Sequence, residues 1–510
     1  MTGLHGDPDA VVIGSGPNGL VAACVLARAG LRVLVLEANP DRPGGAVGSV
    51  HSTRPGFIHD VGAAFFAWGT LSPAFRDLDL TAHGLRWCRA ELESCHPAPD
   101  GTFAAISRDH EVSARSFGNP TDGDTWRRIA TWYGQIEEHL LPMLMEPFPA
   151  VRPMLRLLPL HLLKVGLVFA SRGSALARRW FTSEPARRVL PGLALHVDAG
   201  PDDWFGAALG FMLGMTATTG GYIVPEGGAQ VITDTLVRIL ESYGGRVQLG
   251  ARVDEVIVRG GRASAVRLAS GEEIPAHRAV LANTDAAALF TKLVDASYIP
   301  SRLVSFAQRY PRGWGTFKVD WALSAPVPWE VEPARRSAVV HAGDSLEDLS
   351  RFTAQVRRGE IPDNPYLVIG QQSLADPTRA PEGHHTLWAY SRVPPRVPDG
   401  GWAAHAESFA DRVEARLEGL APGFRQTVLA RSIVAPPDLE AMDANLVGGD
   451  LGGGSNAWHR QLLNRPLFPH FRYRMPVARL YLCSSYAHPG AGAHGMCGYN
   501  AARIALRDLA

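Results

Sequence analysis

An α/β fold with a parallel sheet is predicted by two observations near the start of the chain. The run AVVIG (residues 10–14) is apolar and β-branched, which is typical of a buried parallel strand. A helix is predicted next, because apolar residues occur at helical spacing in LVAACVLARAG (20–30), which ends at a glycine. A second buried strand is predicted at LRVLVLE (31–37). Strand, turn, helix and strand in this order form a βαβ unit.

The turn between the first strand and the helix carries Gly14, Gly16 and Gly19 in the spacing G-x-G-x-x-G. In a βαβ unit these glycines allow a tight turn, a close approach to a pyrophosphate, and close packing of helix on strand. The helix N-terminus then directs free N–H groups toward the phosphates. Glu37 ends the second strand, where its carboxylate can accept hydrogen bonds from ribose hydroxyls and would repel a 2′-phosphate. The sequence therefore predicts a Rossmann-like site for a dinucleotide such as FAD or NAD.

A second G-x-G-x-x-G pattern lies near the other end, at Gly490, Gly492 and Gly495. LYLC (480–483) predicts a strand before it, and GYNAARIALRDL (498–509) predicts a helix after it. No second strand and no ribose-binding acid follow within the sequence, so this pattern does not complete a second βαβ unit. We expect one dinucleotide site to which both ends of the chain contribute.

Size and composition narrow the class of protein. The 510 residues exceed what one hydrophobic core usually holds, so two or more domains are expected. Lys+Arg and Asp+Glu are balanced at 50 each, and nothing in this balance indicates a nucleic-acid partner. The five cysteines show no C-x-x-C spacing, which favours a reducing cytoplasm over a disulfide framework. Neither a signal peptide nor a transmembrane run is predicted, so a cytoplasmic location is expected.

The stretch from residue 11 to 49 resembles the N-terminus of FAD-dependent oxidoreductases of the phytoene desaturase and amine oxidase superfamily. After the ribose acid, that family has an Arg and a Gly-Gly pair that close over the FAD diphosphate. Ala46 departs from the pattern, since many members have an Arg at this point. The resemblance implies FAD as the cofactor, with contacts from Gly14, Gly16, Pro17, Asn18, Gly19, Glu37, Ala38, Arg42, Gly44 and Gly45.

Two further segments resemble the same family. PGFIHDVGAAFF (55–66) is similar to the strand and loop that reach the flavin, and the resemblance implies that Gly62 and Ala63 lie against the isoalloxazine. RVDEVIV (252–258) alternates as a half-buried strand does, and the resemblance implies that Val253 supplies backbone contacts to the adenine.

The closing segment PGAGAHGMCG (489–498) also resembles the family, in which a glycine-rich loop opens the final helix. The resemblance implies cofactor contacts from Gly490, Gly495 and Met496. The N–H groups of Gly495 and Met496 would point at the N1/O2 edge of the flavin, where the helix dipole favours negative charge.

The family resemblance implies a discontinuous FAD-binding domain of the GR2 type and an α+β substrate domain. We expect the first to comprise 1–75, 222–300 and 474–510, and the second 76–221 and 301–473. Within the second, 147–183 is apolar, has six Lys or Arg residues and has no acidic residue. Such a segment suits either a helix pair on an anionic membrane or a helical lid over a substrate tunnel. Both possibilities predict an apolar substrate.

No side chain is identified by sequence as a general base. His494 lies in the closing glycine loop, and His459 lies in a glycine-rich stretch, 445–476, that has a similar counterpart near the flavin in the family. We take these two histidines as the candidate catalytic residues. The sequence has no H-E-x-x-H motif and no Cys/His cluster, so no metal site is predicted.

The expected function is that of an FAD-dependent desaturase or dehydrogenase. Hydride would pass from a C–H bond of an isoprenoid- or lipid-like substrate to flavin N5, with formation of a C=C bond. Since only one βαβ unit is predicted, O₂ or a quinone is expected to reoxidise the flavin. Three alternatives stay open: a flavin amine oxidase, a flavin-dependent isomerase, and a non-catalytic scaffold that retains FAD.

Overall fold

The computed structural model describes residues 6–510. Its central feature is a parallel five-stranded sheet, whose strands follow the order Leu480–Leu482, Ala279–Ala282, Ala10–Ile13, Val33–Leu36 and Arg246–Gln248. The first four are fully buried, as expected for a parallel sheet covered on both faces. The predicted α/β class with a Rossmann-like sheet is confirmed.

The first and last helices of the described chain pack against each other beside this sheet. Pro17–Arg28 contacts both Gln230–Ser242 and Met496–Leu509. A Cβ added at Gly498 would lie 1.7 Å from the carbonyl oxygen of Asn18, so the two backbones meet directly. Each helix follows a parallel strand, and both N-termini therefore lie at the carboxyl edge of the sheet, where α/β proteins bind their ligands.

A mixed seven-stranded sheet forms the second layer. Its strands follow the order Val428–Val434, Gly315–Leu323, His385–Val393, Leu367–Gly370, Ser337–Ala342, Leu92–Pro97 and Phe103–Ile106. All neighbours pair antiparallel except Ser337–Ala342 with Leu92–Pro97, which are parallel. The remaining strands form an antiparallel trio, Val253–Arg259, Arg262–Leu268 and Glu273–Pro275, and two short ladders, Ser49–Val50 with His59–Asp60 and Trp87–Cys88 with Val224–Pro225.

The other α-helices of the described residues are distributed over both layers. They are Pro73–Asp77, His110–Ser116, Pro120–Met145, Val151–Arg156, Pro159–Phe169, Gly173–Trp180, Glu184–Arg187, Val189–Ala194, Gly206–Thr219, Ala286–Ala288, Ser301–Ala307, Leu346–Arg357, Gln372–Ala375, Gly401–Leu420, Phe424–Thr427 and Pro436–Met442. None of the helices within residues 6–510 combines the length and the apolar character needed to cross a membrane.

The strands of the parallel sheet all come from the three segments assigned to the FAD-binding domain. The exact domain boundaries stay a prediction. The apolar and basic segment 147–183 forms three short helices, two of which, Val151–Arg156 and Pro159–Phe169, contribute to the wall of the cavity. Its side chains divide between two environments: Val165 and Val168 are buried, whereas Leu155 is 77% exposed.

Candidate dinucleotide and substrate site

One cavity of about 1620 Å³ connects the first glycine turn with the seven-stranded sheet. It is lined by the turn at 14–18, by the loop at 62–68, by the helix Pro159–Phe169 and by the strand His385–Val393. Pockets for one small molecule usually measure about 300–1,000 Å³. The volume therefore leaves room for a dinucleotide and a substrate together.

The first turn is shaped by glycines that tolerate no side chain. A Cβ at Gly16 would lie 2.7 Å from Nδ2 of Asn283, and a Cβ at Gly19 would lie 2.2 Å from the carbonyl oxygen of Gly14. Asn18 lines the cavity beside them, and among residues 6–510 its buried Oδ1 has no hydrogen-bond partner. An unpartnered buried polar atom at a helix N-terminus suits a bound polar ligand.

Glu37 is held in place by the turn that it faces. Its carboxylate accepts hydrogen bonds from the N–H of Ser15 and the N–H of Asn39, each at 2.8 Å. The Ser15 hydroxyl also donates to Glu37 and accepts from the N–H of Gly44 at 3.1 Å. A positioned carboxylate at the end of the second strand, facing the cavity, fits a ribose whose hydroxyls donate to it.

The Arg and Gly-Gly element lies next along the cavity. Arg42 donates to the carbonyl oxygen of Gly45 at 3.1 Å, and burial lowers the pKa of its guanidinium. Gly45 lines the cavity, but Gly44 packs behind it, because a Cβ there would lie 2.3 Å from the carbonyl oxygen of Val47. Sequence reasoning missed Asp443, a cavity residue whose Oδ2 would lie 2.9 Å from a Cβ on Gly45 and whose pKa is raised by burial.

The loop that carries Gly62 and Ala63 is anchored by buried charges. Asp60 accepts from Arg379 Nη1 at 2.8 Å and from the N–H of Ala229 at 2.8 Å. Lys318 Nζ donates to the Asp60 carbonyl oxygen at 2.7 Å. Both Gly62 and Ala63 line the cavity. The loop is thus held rigidly where the resemblance expects the isoalloxazine.

The closing glycine loop reaches the cavity through other residues than expected. Pro489, Ala491, Gly492, Ala493 and His494 line the cavity, whereas Gly490, Gly495 and Met496 do not. The expectation that the Met496 N–H points at the flavin is not met, because this N–H donates to Nδ1 of His494 at 3.0 Å. The loop itself contributes to the same cavity as the first turn, so one site receives both ends of the chain.

Arg465 joins the glycine-rich stretch to the closing loop. It is buried and donates to the carbonyl oxygens of Gly452 at 2.7 Å, Gly453 at 3.0 Å and Ser485 at 2.9 Å. A Cβ added at Gly490 would lie 2.5 Å from Nε of Arg465, so the close approach of the arginine leaves no room for a side chain at this position. Arg465 therefore positions two cavity walls at once.

The two candidate histidines lie in different environments. His494 is buried and lines the cavity. Its Nδ1 accepts the Met496 N–H, so the neutral ring carries its hydrogen on Nε2, and burial lowers the pKa to about 4. His459 is exposed and does not line the cavity, although its neighbours Trp458 and Gln461 do. The geometry does not place His459 where it could reach a substrate.

The predicted cofactor residues divide into those on the cavity surface and those behind it. On the surface are Gly14, Gly16, Pro17, Asn18, Glu37, Ala38, Arg42, Gly45, Gly62, Ala63 and Val253. Behind it are Gly19, Gly44, Gly490, Gly495 and Met496. Asn283 was missed, although its place directly after a buried parallel strand marks it as a ligand-side residue. No local sequence signal distinguishes Arg379 or Lys318.

These residues fit a dinucleotide. The glycine cradle leaves space that a side chain would fill, Asn18 presents an unpartnered polar atom, Arg42 supplies positive charge and Glu37 supplies a ribose acceptor.

Comparison with known proteins places the chain among oxidoreductases. Residues 12–78 match the NAD(P)-binding Rossmann-like domain family. The mouse protein "Pyridine nucleotide-disulfide oxidoreductase domain-containing protein 2" is 28% identical, over 99% of this chain and 94% of its own length. A neurosporene-forming phytoene desaturase from Cereibacter sphaeroides is 26% identical, over 96% and 92%. The solved structure of an oxidoreductase from Methanosarcina mazei has a TM-score of 0.63 and 18% identity, and the match covers 98% of this chain and 99% of that one.

The two curated relatives and the solved structure match along nearly the whole chain, not at the glycine motifs alone. The chain is therefore a homologue of phytoene desaturase and of pyridine nucleotide-disulfide oxidoreductase domain-containing protein 2, and the predicted resemblance, the oxidoreductase class and the FAD cofactor are confirmed.

Proposed function

We propose that this protein is a desaturase or dehydrogenase that takes hydride from a C–H bond of an apolar, isoprenoid- or lipid-like substrate and forms a C=C bond. The observation that supports this most is the continuity of the cavity. Elements with the features of a dinucleotide site line one part, and mainly apolar side chains line the rest. Among the apolar residues are Phe65, Leu162, Phe169, Leu209, Met212 and Leu213.

The chain's own residues would orient the reactants and exclude water. The anchored loop at Gly62 and Ala63 and the closing loop at Gly492 form rigid surfaces on which a flat ring can lie. Bound FAD would supply the hydride acceptor. Since His494 is neutral near pH 7, it adds no positive charge to a site where a substrate carbon loses hydride. The apolar wall keeps bulk water away from the reacting carbon.

We propose O₂ or a quinone as the electron acceptor, because residues 6–510 contain a single βαβ dinucleotide unit, which the proposed FAD would occupy, and no second one for NAD(P)H. A comparison of reoxidation rates of the reduced enzyme with O₂, a water-soluble quinone and NAD⁺ tests this assignment. Fastest reoxidation by NAD⁺ would contradict it.

We also propose peripheral contact with an anionic membrane through the two helices at 151–169. Leu155, Leu158, Leu160, Leu163 and Leu167 are each more than half exposed. The Arg and Lys side chains of this segment are also exposed, and each cation near an anionic surface contributes about 1 kcal/mol. The other faces of the same helices line the substrate cavity, so an apolar substrate could enter from the lipid.

Vesicle flotation tests the membrane proposal. We expect the protein to float with phosphatidylglycerol vesicles, and a variant with Leu155→Ser and Leu163→Ser to stay in solution. Leu249→Ser, at an exposed leucine in another part of the chain, is the matched control. Equal flotation of all three proteins, or none of the wild type, would argue against contact through this segment.

An anaerobic absorbance measurement tests the catalytic proposal. An apolar extract of the host, added to the FAD-loaded protein, should bleach the visible flavin band, and fractionation should identify the substrate. Leu209→Trp enlarges a side chain on the cavity wall and should prevent bleaching while FAD stays bound. Gly419→Ala, on an exposed helix surface with nothing within 4 Å of the added Cβ, is the control. An unchanged flavin band in the wild type would favour the amine oxidase, isomerase or scaffold alternatives.

A further inference from the structure

Two neighbouring residues of the cavity lining carry polar atoms that are not used in hydrogen bonds within the described part of the chain. They are the hydroxyl of Tyr390 and Nε2 of His196, both on residues that line the cavity. Their rings lie 6.2 Å apart between centroids, at an interplanar angle of 80°. Within residues 6–510, neither the Tyr390 hydroxyl nor His196 Nε2 has a hydrogen-bond partner, although His196 Nδ1 has one. A few polar groups in a largely apolar pocket fix the orientation of the ligand in many small-molecule sites.

His196 is an acceptor at this point. Its Nδ1 lies 2.9 Å from the carbonyl oxygen of Leu193, so Nδ1 must carry the hydrogen of the neutral ring. Burial lowers the pKa of His196 to about 4, which keeps the ring neutral near pH 7. Nε2 therefore carries a lone pair, on a residue that lines the cavity.

Tyr390 can donate or accept at this point. Its ring stacks on Trp388 with 5.2 Å between centroids, and the guanidinium carbon of Arg392 lies 5.2 Å from the centre of the Tyr390 ring. Burial raises the pKa of Tyr390 to about 12, so the hydroxyl keeps its hydrogen. The ring is thus held in one place while its hydroxyl is free to donate.

Arg392 positions the pair and is itself occupied. It donates to the carbonyl oxygen of His196 and, at 2.5 Å, to Oγ1 of Thr316. A third, longer contact of 3.4 Å reaches the carbonyl oxygen of Leu195. These bonds hold the chain around His196 against the strand that carries Tyr390. The N–H groups of Arg392 donate to protein oxygens. The guanidinium therefore does not offer a free pair of donors for bidentate binding of a substrate carboxylate.

We propose that Tyr390 and His196 bind a hydroxyl group on an otherwise apolar substrate. The substrate oxygen accepts the hydrogen of Tyr390, and the substrate hydrogen is donated to Nε2 of His196. An ether or a carbonyl can only accept, so it leaves the His196 lone pair unsatisfied, and a hydrocarbon leaves both groups unsatisfied. The inference deepens the proposed function by naming the substrate class as an apolar alcohol.

Calorimetric titration of the FAD-loaded protein tests this with four probes of equal chain length: 1-decanol, decyl methyl ether, decanoate and decylammonium. We expect 1-decanol to bind most tightly, about 3- to 10-fold more tightly than the ether, as for one neutral hydrogen bond. Tyr390→Phe and His196→Phe should each reduce this ratio toward one. Tyr222→Phe is the matched control, since its hydroxyl is bonded to the carbonyl oxygen of Leu213 and it does not line the cavity.

The inference would be overturned if the alcohol and the ether bound equally tightly. It would also be overturned if decanoate or decylammonium bound more tightly than 1-decanol, or if none of the four probes bound. An unchanged ratio in Tyr390→Phe would overturn it as well. Because the titration needs no turnover, it separates the inference from the proposed function. Preference for the alcohol without any bleaching by host extract would contradict only the desaturase activity, and bleaching without that preference would contradict only the hydroxyl site.

Discussion

Asp60 and Arg379 form a fully buried ion pair, with Arg379 Nη1 2.8 Å from Asp60 Oδ2, although they lie 319 positions apart in the chain. Arg379 also pairs with Asp376 at 2.8 Å. Burial lowers the pKa of Arg379, but the charges and hydrogen bonds of Asp60 and Asp376 together outweigh burial, so the pKa is raised. The pair ties the loop leading to Gly62 and Ala63 to the segment between two strands of the seven-stranded sheet.

Arg379→Met is expected to destabilise the protein and loosen the flavin-side loop. Removal of Arg379 leaves the buried carboxylates of Asp60 and Asp376 without their cationic partner, and breaking a buried ion pair typically costs about 3–5 kcal/mol. Urea denaturation should show the loss of stability, and FAD should dissociate more readily. Arg259→Met, which breaks an exposed pair with Glu273, should leave both measurements unchanged. Equal stability of the two variants would contradict the anchoring role.

Glu37→Ala is expected to weaken FAD binding about 10-fold or more, because hydrogen bonds to a charged acceptor contribute about 1.5–3 kcal/mol. The carboxylate also organises Ser15 and Asn39, so the turn itself should loosen. Quenching of flavin fluorescence on binding to the apoprotein measures the dissociation constant. The matched control is Glu241→Ala, on the helix Gln230–Ser242 and outside the cavity lining. A dissociation constant equal to that of the wild type would argue against a ribose contact at Glu37.

Gly19→Ala is expected to disrupt the first turn, since the new Cβ would lie 2.2 Å from a backbone oxygen that cannot move aside easily. Overpacking of this kind typically costs about 1–3 kcal/mol. Gly134→Ala is the opposite case. Gly134 lies in the helix Pro120–Met145, and an added Cβ would have no atom within 4 Å, so the free energy of unfolding should rise by about 0.5–1 kcal/mol. Thermal denaturation of both variants should show shifts of opposite sign. A shift of the same sign in both would contradict the described packing at Gly19.

Acidification is expected to destabilise the protein between about pH 6.5 and pH 4. Burial lowers the pKa of His488 and His494 to about 4 and that of His96 to about 3, whereas unfolded histidine has a pKa of about 6.5. The unfolded state therefore binds more protons in this window. The stabilising contribution of the neutral histidines is complete above pH 6.5 and is lost as the pH falls.

His494→Gln isolates one of these contributions, because Gln can still accept the Met496 N–H. The pH dependence of its unfolding free energy should be shallower than that of the wild type, by about 1.4 kcal/mol per pH unit within the window. Denaturant titrations at pH 7.0, 6.0 and 5.0 compare the two proteins. Parallel curves would show that His494 is not kept neutral by burial.

The nucleotide-binding part of the site could be predicted because its information is local. Gly14, Gly16 and Glu37 lie within one βαβ unit. The spacing of the glycines locates the turn, and the end of the second apolar run locates the acidic residue that can accept from the ribose. The closing helix was predicted for the same reason. Which atoms of the closing loop face the cavity was not predicted, because the Met496 N–H is taken by a side chain two residues away.

Fold class, glycine turn and ribose acid follow from the order of residues alone, because backbone conformation and strand or helix periodicity depend on near neighbours. The substrate side depends on packing between distant segments. Asp60 meets Arg379, and His196 meets Tyr390, only after two sheets and their connecting helices have come together. His459 and His494 looked equivalent as residues beside glycines, but the packed structure leaves one in solvent and encloses the other in the cavity wall.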